Sequence, residues 1–184
     1  MNPLQLFVPR CSLVLMTSVL LLLLCFSCHD QPQPAHASRH LGMMSDSLVN
    51  YNRNVLLTED QQIEDFISRY RWLMKNTGTG LRYLIYKNGQ GEKAVKGKIA
   101  VIRFSLRLLN GNLCYSSDKD GLKEFKIGYG GVESGVEEGI LLMRVGDRAK
   151  FIVPSHLAFG LLGDQNKIPQ HATLVYDIEL VKIK

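Results

Sequence analysis

The chain has 184 residues, of which 46% are hydrophobic, so it can hold one domain of ordinary size with extensions, and wholesale disorder is excluded. Its formal net charge is +5. A nucleic-acid-binding surface would gather this basic excess together with aromatic residues. Here lysine and arginine alternate with apolar residues along predicted strands instead, so no nucleic-acid partner is expected.

Residues 1–27 have the layout of a signal peptide, because Arg10 is the only charged residue before an apolar run over residues 11–26. This run is shorter than the stretch of about 20 apolar residues that a membrane-spanning helix needs. It ends in Ser27 beside Cys28, and a cysteine at this place resembles the lipobox cysteine of bacterial lipoproteins, which receives a lipid. We therefore predict export and a membrane anchor through a lipid on Cys28. An uncleaved anchor and a soluble secreted product are the alternatives.

Residues 28–57 are predicted to form a flexible tether, since they contain many turn-forming residues and show no sustained hydrophobic period. Three of the five histidines lie in this segment, and the other two are isolated, so neither a metal site nor a cofactor is expected. Cys114 is the only cysteine after Cys28, which excludes a disulfide within the folded region. We expect Cys114 to be buried, with a reactive thiol as the alternative.

An amphipathic helix is predicted over residues 58–77. Thr58 suits the N-cap, Gln61 stands in the capping-box position, and apolar residues follow at spacings of three and four. Gly78 is a natural end for this helix. Its apolar stripe must pack on its own domain or on a partner chain, which leaves a helix-mediated dimer open. Trp72, off the centre of the stripe, marks either the edge of a packed core or a contact surface.

Residues 78–184 are predicted to form a small α+β domain, because the hydrophobic period changes from helical to alternating after Gly80. Asn110-Gly111 predicts a hairpin with a type I′ turn, since this dipeptide tolerates positive φ. One short helix is predicted near residues 135–143. The predicted strands are residues 81–86, 98–109, 113–117, 125–128, 148–153 and 173–183.

Three strings in this domain carry a resemblance to a known family. Residues 132–139 and 143–150 resemble the helix and the following strand of FK506-binding-protein-type peptidyl-prolyl cis/trans isomerases, and residues 167–180 are similar to the closing strand of that family. The resemblance implies an antiparallel β-sheet wrapped around one short α-helix, with a proline-binding pocket between them. It also implies isomerase activity without a cofactor, on proline-containing polypeptides as partners.

Within that family, the chain is most similar to the gliding-motility-associated isomerase lipoproteins of Bacteroidetes. The similarity lies in residues 114–117, 154–158 and 160–164, and in a helix followed by residues 77–83. This resemblance agrees with the signal peptide. It implies a membrane-anchored lipoprotein of the cell envelope that faces the periplasm or lies in the outer membrane.

The family pocket maps onto nine residues, with Cys114 beside Tyr115. Val136 replaces the indole that usually floors the pocket, and Phe159 replaces a tyrosine. Cys114-Tyr115 replaces Phe-Asp and so loses a carboxylate, and Glu133 replaces an apolar residue. The nine are Phe104, Tyr115, Phe125, Val132, Glu133, Val136, Phe159, Ile168 and Tyr176. Without the resemblance, packing in the core is the better explanation for Phe104, Phe125 and Tyr176, because alternating strands bury such residues.

The function predicted from these features is acceleration of X–Pro rotation in exported or envelope proteins. This reaction requires no nucleophile, so the absence of a Ser/His/Asp or Cys/His arrangement does not count against an enzyme. Two alternatives remain open at this point. One is a proline-peptide binding or assembly module with weak catalysis, which the altered pocket residues favour, and the other is a structural lipoprotein.

Overall fold

The computed structural model describes residues 36–184, with side chains from residue 48 onward. The chain divides into two compact units, residues 1–48 and 49–184. The described part of the first unit is helical, and all contacts given below lie within the second. The predicted signal peptide, Cys28 and residues 28–35 of the predicted tether lie outside the described residues. Over residues 36–184, no helix combines the length and the apolar character that crossing a membrane requires.

The N-terminal helix α1 (His36–Tyr70) starts much earlier than predicted, so residues 36–57 are helical where a tether was expected. The prolines that indicated a tether precede the helix, and residues 36–57 contain none, so nothing in this segment breaks a helix. Thr58 does not cap the helix, because it lies inside it and its hydroxyl donates a hydrogen bond to the Asn54 carbonyl at 2.8 Å, as helix-interior threonines do.

Helix α1 ends at Tyr70 and not near residue 77, because the chain turns sharply after it. Arg71 adopts a positive φ of 54°, and the amides of Arg71 and Trp72 each donate to carbonyls of the last helical turn at 3.1 Å. This is the hydrogen-bond pattern of a Schellman motif. The Trp72 ring packs at 5.6 Å from the ring of Phe66, so Trp72 belongs to the edge of a packed core.

The apolar stripe of α1 packs on its own domain. Ile63 and Phe66 are buried in one cluster with Ile152 and Val175. The buried Arg82 adds an ion pair to this face, at 3.0 Å from the Glu64 carboxylate.

The Glu59 carboxylate is buried at the start of this packed face. Glu59 is 7% exposed and accepts three hydrogen bonds: from the Ser155 amide at 2.6 Å, from the Ser155 hydroxyl at 2.9 Å and from the Thr173 hydroxyl at 2.6 Å. Ser155 and Thr173 stand at the two ends of one long loop. Glu59 therefore ties both ends of that loop to α1.

The described residues contain one antiparallel sheet of seven strands, in the order β1-β2-β6-β7-β3-β4, with β5 paired to β3. This confirms the predicted α+β architecture of a sheet, one short helix and a preceding helix. The strands are β1 (Lys75–Asn76), β2 (Arg82–Lys87), β3 (Ile99–Leu108), β4 (Leu113–Ser116), β5 (Lys123–Lys126), β6 (Arg148–Val153) and β7 (Leu174–Ile183). A short helix that was not predicted, α2 (Ser117–Asp120), follows β4.

Helix α3 (Ser134–Leu141) packs closely on the inner face of β6. Glycines permit this approach, because a Cβ at Gly139 would stand 2.4 Å from the Phe151 ring and one at Gly135 would stand 2.5 Å from Val153. A short 3₁₀ turn (Ser155–Leu157) follows β6 and opens the long loop. The predicted helix is thus present, and its first turn faces the inner side of the sheet.

The β3–β4 hairpin does not have the predicted type I′ turn. That turn requires positive φ at both central residues, and only Gly111 has it, at 90°. The Gly111 amide donates to the Leu108 carbonyl at 2.9 Å, and the Leu108 amide donates to the Asn112 carbonyl at 3.0 Å. The loop is therefore three residues long, with the glycine in last position, and the register shifts between Leu106 and Arg107.

We expect Glu59→Ala to lower the free energy of unfolding by about 3 kcal/mol, because it leaves three buried donors without an acceptor. Urea denaturation of the full chain measures this value. Asp65→Ala is the matched control on the exposed side of the same helix and should cost less than about 0.5 kcal/mol. Equal losses in the two variants would contradict the role of Glu59.

Candidate functional site

An open cavity of about 720 Å³ lies between the inner face of the sheet and the start of α3. Strand β3 contributes Phe104, β4 contributes Tyr115 and β7 contributes Tyr176. Because side chains alternate along a strand, the strand residues that line the cavity all come from one face of the sheet. Seven of the nine predicted pocket residues line this cavity: Phe104, Tyr115, Val132, Glu133, Val136, Phe159 and Tyr176.

The other two predicted residues do not line the cavity. Phe125 and Ile168 are 5% and 2% exposed and belong to the hydrophobic core beside it. Cys114 is also buried, as expected, and does not line the cavity. Burial and the nearby Asp164 carboxylate raise the pKa of its thiol, although Lys167 acts in the opposite direction. The protonated thiol is therefore favoured, which makes Cys114 a packing residue.

The wall formed by the sheet is aromatic. The rings of Phe104 and Tyr176 lie 6.3 Å apart and are tilted by 46°. Tyr176 is 4% exposed, and burial together with the adjacent Glu133 carboxylate raises its pKa well above the usual value. The Tyr176 hydroxyl thus keeps its proton over the whole physiological range. Val136, on α3, is 1% exposed, and its small side chain leaves this part of the cavity open.

A carboxylate that the sequence did not single out organises the rim. Asp164 accepts hydrogen bonds from the Tyr115 hydroxyl, from the Asn166 amide at 2.9 Å and from the Ile168 amide at 2.7 Å. Burial alone would raise the pKa of the Asp164 carboxyl, but these hydrogen bonds outweigh it and lower the pKa. The same hydrogen bond raises the pKa of Tyr115, because the hydroxyl can donate this bond only while it keeps its proton.

Lys167 fixes the same loop to strand β4. Its ammonium donates to the Cys114 carbonyl at 2.9 Å and lies 4.5 Å from the centre of the Tyr115 ring. A cation over an aromatic face is attracted by the ring quadrupole. The loop that carries Phe159 is therefore held at the cavity by Asp164 and Lys167 together.

The opposite rim is formed by residues that sequence analysis missed. Asp120 ends the short helix α2, Leu122 and Lys123 follow it, and all three residues line the cavity. Leu122 is 48% exposed, so an apolar side chain stands at the entrance. No periodic signal marks a helix of one turn, which is why this rim could not be predicted. Further lining residues are Ile102, Leu106, Gly121, Gly131 and Ala158.

A family model described as FKBP-type peptidyl-prolyl cis-trans isomerase matches residues 90–181, which is half of the chain. This range begins before β3 and ends within β7. It contains every residue that lines the cavity.

Individual relatives support the same match. The chain is 37% identical over 110 residues to a probable FKBP-type peptidyl-prolyl cis-trans isomerase FkpA of Neisseria meningitidis. The aligned region spans 60% of this chain but only 40% of that relative. The chain is 40% identical over 92 residues to FK506-binding protein 2 of Dictyostelium discoideum, which covers 50% of this chain and 69% of that protein.

Solved structures share the fold. AtFKBP13 aligns with a TM-score of 0.59 at 30% identity and covers 61% of this chain and 100% of its own. FkpA from Escherichia coli aligns with a TM-score of 0.62 over 97% of this chain and 84% of its own. At 22% identity, this second likeness concerns the fold alone.

We expect the Asp164 carboxyl to titrate below its ordinary pKa of about 3.9, and Tyr115→Phe to move that midpoint upward, because the variant removes a hydrogen bond to the charged form. The stabilisation from this lowered pKa is present above the ordinary pKa and is lost as the pH falls through the folded value. NMR shifts of the Ile168 amide, which bonds Asp164, report the titration. Tyr129→Phe, at an exposed tyrosine, is the control. An unchanged midpoint in Tyr115→Phe would refute the interaction.

Proposed function

Because this chain belongs to the family of FKBP-type peptidyl-prolyl cis-trans isomerases, an enzyme family, we propose that its aromatic cavity binds proline and accelerates rotation of the X–Pro bond. The observation that carries the proposal is the cavity wall, where Phe104, Tyr176 and Phe159 meet beside the first turn of α3. A second cavity, of about 380 Å³, has no Phe, Tyr or Trp side chain in its lining.

The chemistry follows from the properties of the amide bond. Resonance flattens the X–Pro bond and sets a rotation barrier of about 18–20 kcal/mol, although the two isomers differ in free energy by only about 0.5–1 kcal/mol. Water stabilises the charge-separated planar form. A cavity that removes water from the amide and holds the proline ring therefore favours the less polar, twisted transition state.

One backbone group is available to orient the substrate. The Glu133 amide has no acceptor among the described residues, whereas the Glu133 carbonyl accepts from the Val136 and Glu137 amides at 2.9 and 3.1 Å. An N–H at the start of a helix is a good donor to a carbonyl oxygen. We assign this amide to a peptide carbonyl of the bound substrate, while the aromatic walls contact the proline ring.

The second candidate function is a proline-peptide binding or assembly module with little catalysis. Phe159 favours it, because a phenylalanine cannot donate the hydroxyl hydrogen bond that the family's tyrosine supplies at this position. Val136 favours it as well, because the missing indole loosens contact with the proline ring. Catalysis and binding alone are separated by a protease-coupled assay on X–Pro peptides, in which no acceleration over buffer would exclude the isomerase.

The N-terminal sequence features support an activity outside the cytoplasm. We propose that the signal peptide directs export, that a lipid on Cys28 anchors the chain in the cell envelope, and that the clients are exported or envelope proteins. Isomerisation requires no ATP, so it suits such a compartment. The resemblance to gliding-motility-associated lipoproteins supports this location.

A helix-mediated dimer is a separate proposal. It would involve the part of α1 that precedes its packed face.

We expect Phe159→Ala to lower kcat/KM on X–Pro peptides about tenfold, because losing an aromatic wall removes roughly 1.4 kcal/mol of contact with the proline ring. The protease-coupled assay measures this loss. Leu161→Ala is the matched control, since Leu161 lies in the same loop, is 68% exposed and does not line the cavity. Equal effects of the two variants would point to loop disturbance instead of proline contact.

We expect a palmitate analogue to label the chain during growth and Cys28→Ala to abolish the label, because only a cysteine at the mature N-terminus receives the lipid. In-gel fluorescence after coupling to a dye measures the label. Cys25→Ala, three residues earlier, should keep it. Label that persists in Cys28→Ala would contradict the proposed anchor.

A further inference from the structure

An acidic side chain faces the proposed proline cavity without a structural task that accounts for it. Glu133 directly precedes α3, at φ −60° and ψ 145°, where a side chain can cap a helix. Its carboxylate makes no such capping bond. The residue lines the cavity instead, and its carboxylate lies near the Tyr176 hydroxyl.

The Glu133 carboxylate retains capacity for a ligand. An ionised carboxylate offers about four acceptor positions, and the neighbouring Tyr176 hydroxyl can fill only one of them. Within residues 48–184, no lysine, arginine or histidine forms an ion pair with Glu133. An incoming cation or N–H donor can therefore bind it without displacing a protein group.

The other charged groups of the cavity do not cancel this charge. Asp120 is acidic as well, and it accepts the Ser116 amide at 3.0 Å. Lys123 is exposed to solvent and pairs with neither carboxylate. The lining thus carries two negative groups and one positive group. Glu133, which is partly buried, interacts with a ligand charge more strongly than the solvated Lys123 does.

The surrounding aromatic rings favour the same kind of ligand. Phe104, Phe159 and Tyr176 line the cavity together with Glu133, and aromatic faces attract cations. A carboxylate beside aromatic walls suits a long basic side chain, whose methylene groups contact the rings while its charged end reaches the carboxylate.

We propose that Glu133 is a specificity-determining residue, through which the cavity selects polypeptides that carry Lys or Arg next to the proline. This inference rests on the proposed binding of proline in the cavity. It names a substrate class, polypeptides with a basic residue flanking proline, that the family resemblance does not supply, because the family normally has an apolar residue at this position.

The test compares short peptides that differ only beside the proline, with Lys, norleucine or Glu placed either before or after it. NMR exchange spectroscopy gives kcat/KM, and titration of the same samples gives Kd, both on the full chain. We expect the Lys peptide of at least one series to be preferred over norleucine on the order of fivefold. The preference should shrink at high ionic strength, because salt screens the pair.

Variants assign the preference to Glu133. Glu133→Gln should bring the Lys to norleucine ratio close to one, and Glu133→Lys should turn the preference toward the Glu peptide. Glu92→Gln makes the same change of net charge at an exposed residue outside the cavity and should leave the ratio as in the wild type. Far-UV circular dichroism and thermal melting establish that each variant is folded.

The outcomes separate this inference from the isomerase proposal. Equal values for Lys and norleucine in the wild type, or a preference that survives in Glu133→Gln, would overturn the inference while leaving isomerisation intact. A preference for the Glu peptide in the wild type would assign selection to Lys123 and would also overturn it. If no peptide is accelerated, the isomerase proposal fails. The ratio of the Kd values for the Lys and norleucine peptides then tests the selectivity of Glu133 by itself. If no peptide binds, the inference fails as well.

Discussion

The alternation of side chains along β7 is the constraint on which the rest of the structure depends. Tyr176 and its even-numbered neighbours face the inner core and the cavity, whereas Val175 faces the opposite side and packs with α1. Strand β6 repeats the division, because Phe151 pairs with Tyr176 and Ile152 pairs with Val175. A register shift of one residue would exchange the two faces and destroy both the cavity and the packing of α1.

The two faces are connected through the long loop between β6 and β7. Glu59 of α1 binds Ser155 at the start of this loop and Thr173 at its end. Ser155 also accepts hydrogen bonds from the amides of Ala158 and Gly160, which flank Phe159. The position of a cavity residue thus depends on a helix that packs on the far side of the sheet. This connection gives α1 a role in shaping the site, beyond covering an apolar surface.

Elements that leave a periodic pattern in the sequence could be predicted, whereas contacts between residues far apart in the sequence could not. The alternation in residues 98–109 predicted β3 within one residue at each end, since burial of one face leaves a periodic signal. The start of α1 was missed because asparagines near residues 50–54 indicate turns when no packing partner is known. Glu59 and Asp164 could not be assigned roles at all. Their hydrogen-bond partners lie far away in sequence, at Ser155 and at Tyr115, and no spacing records such contacts.

The rim of the cavity shows how a substitution that removes a functional group can be offset from another element. The family resemblance leads one to expect a carboxylate after the hairpin, at the position where this chain has Tyr115. A carboxylate nevertheless stands at the same rim, because Asp164 reaches it from the long loop and accepts the Tyr115 hydroxyl. The acceptor therefore lies on the long loop and the donor on β4. Since Asp164 also accepts the Ile168 amide, the Tyr115–Asp164 pair fixes the loop to β4 and so holds this wall of the cavity in place.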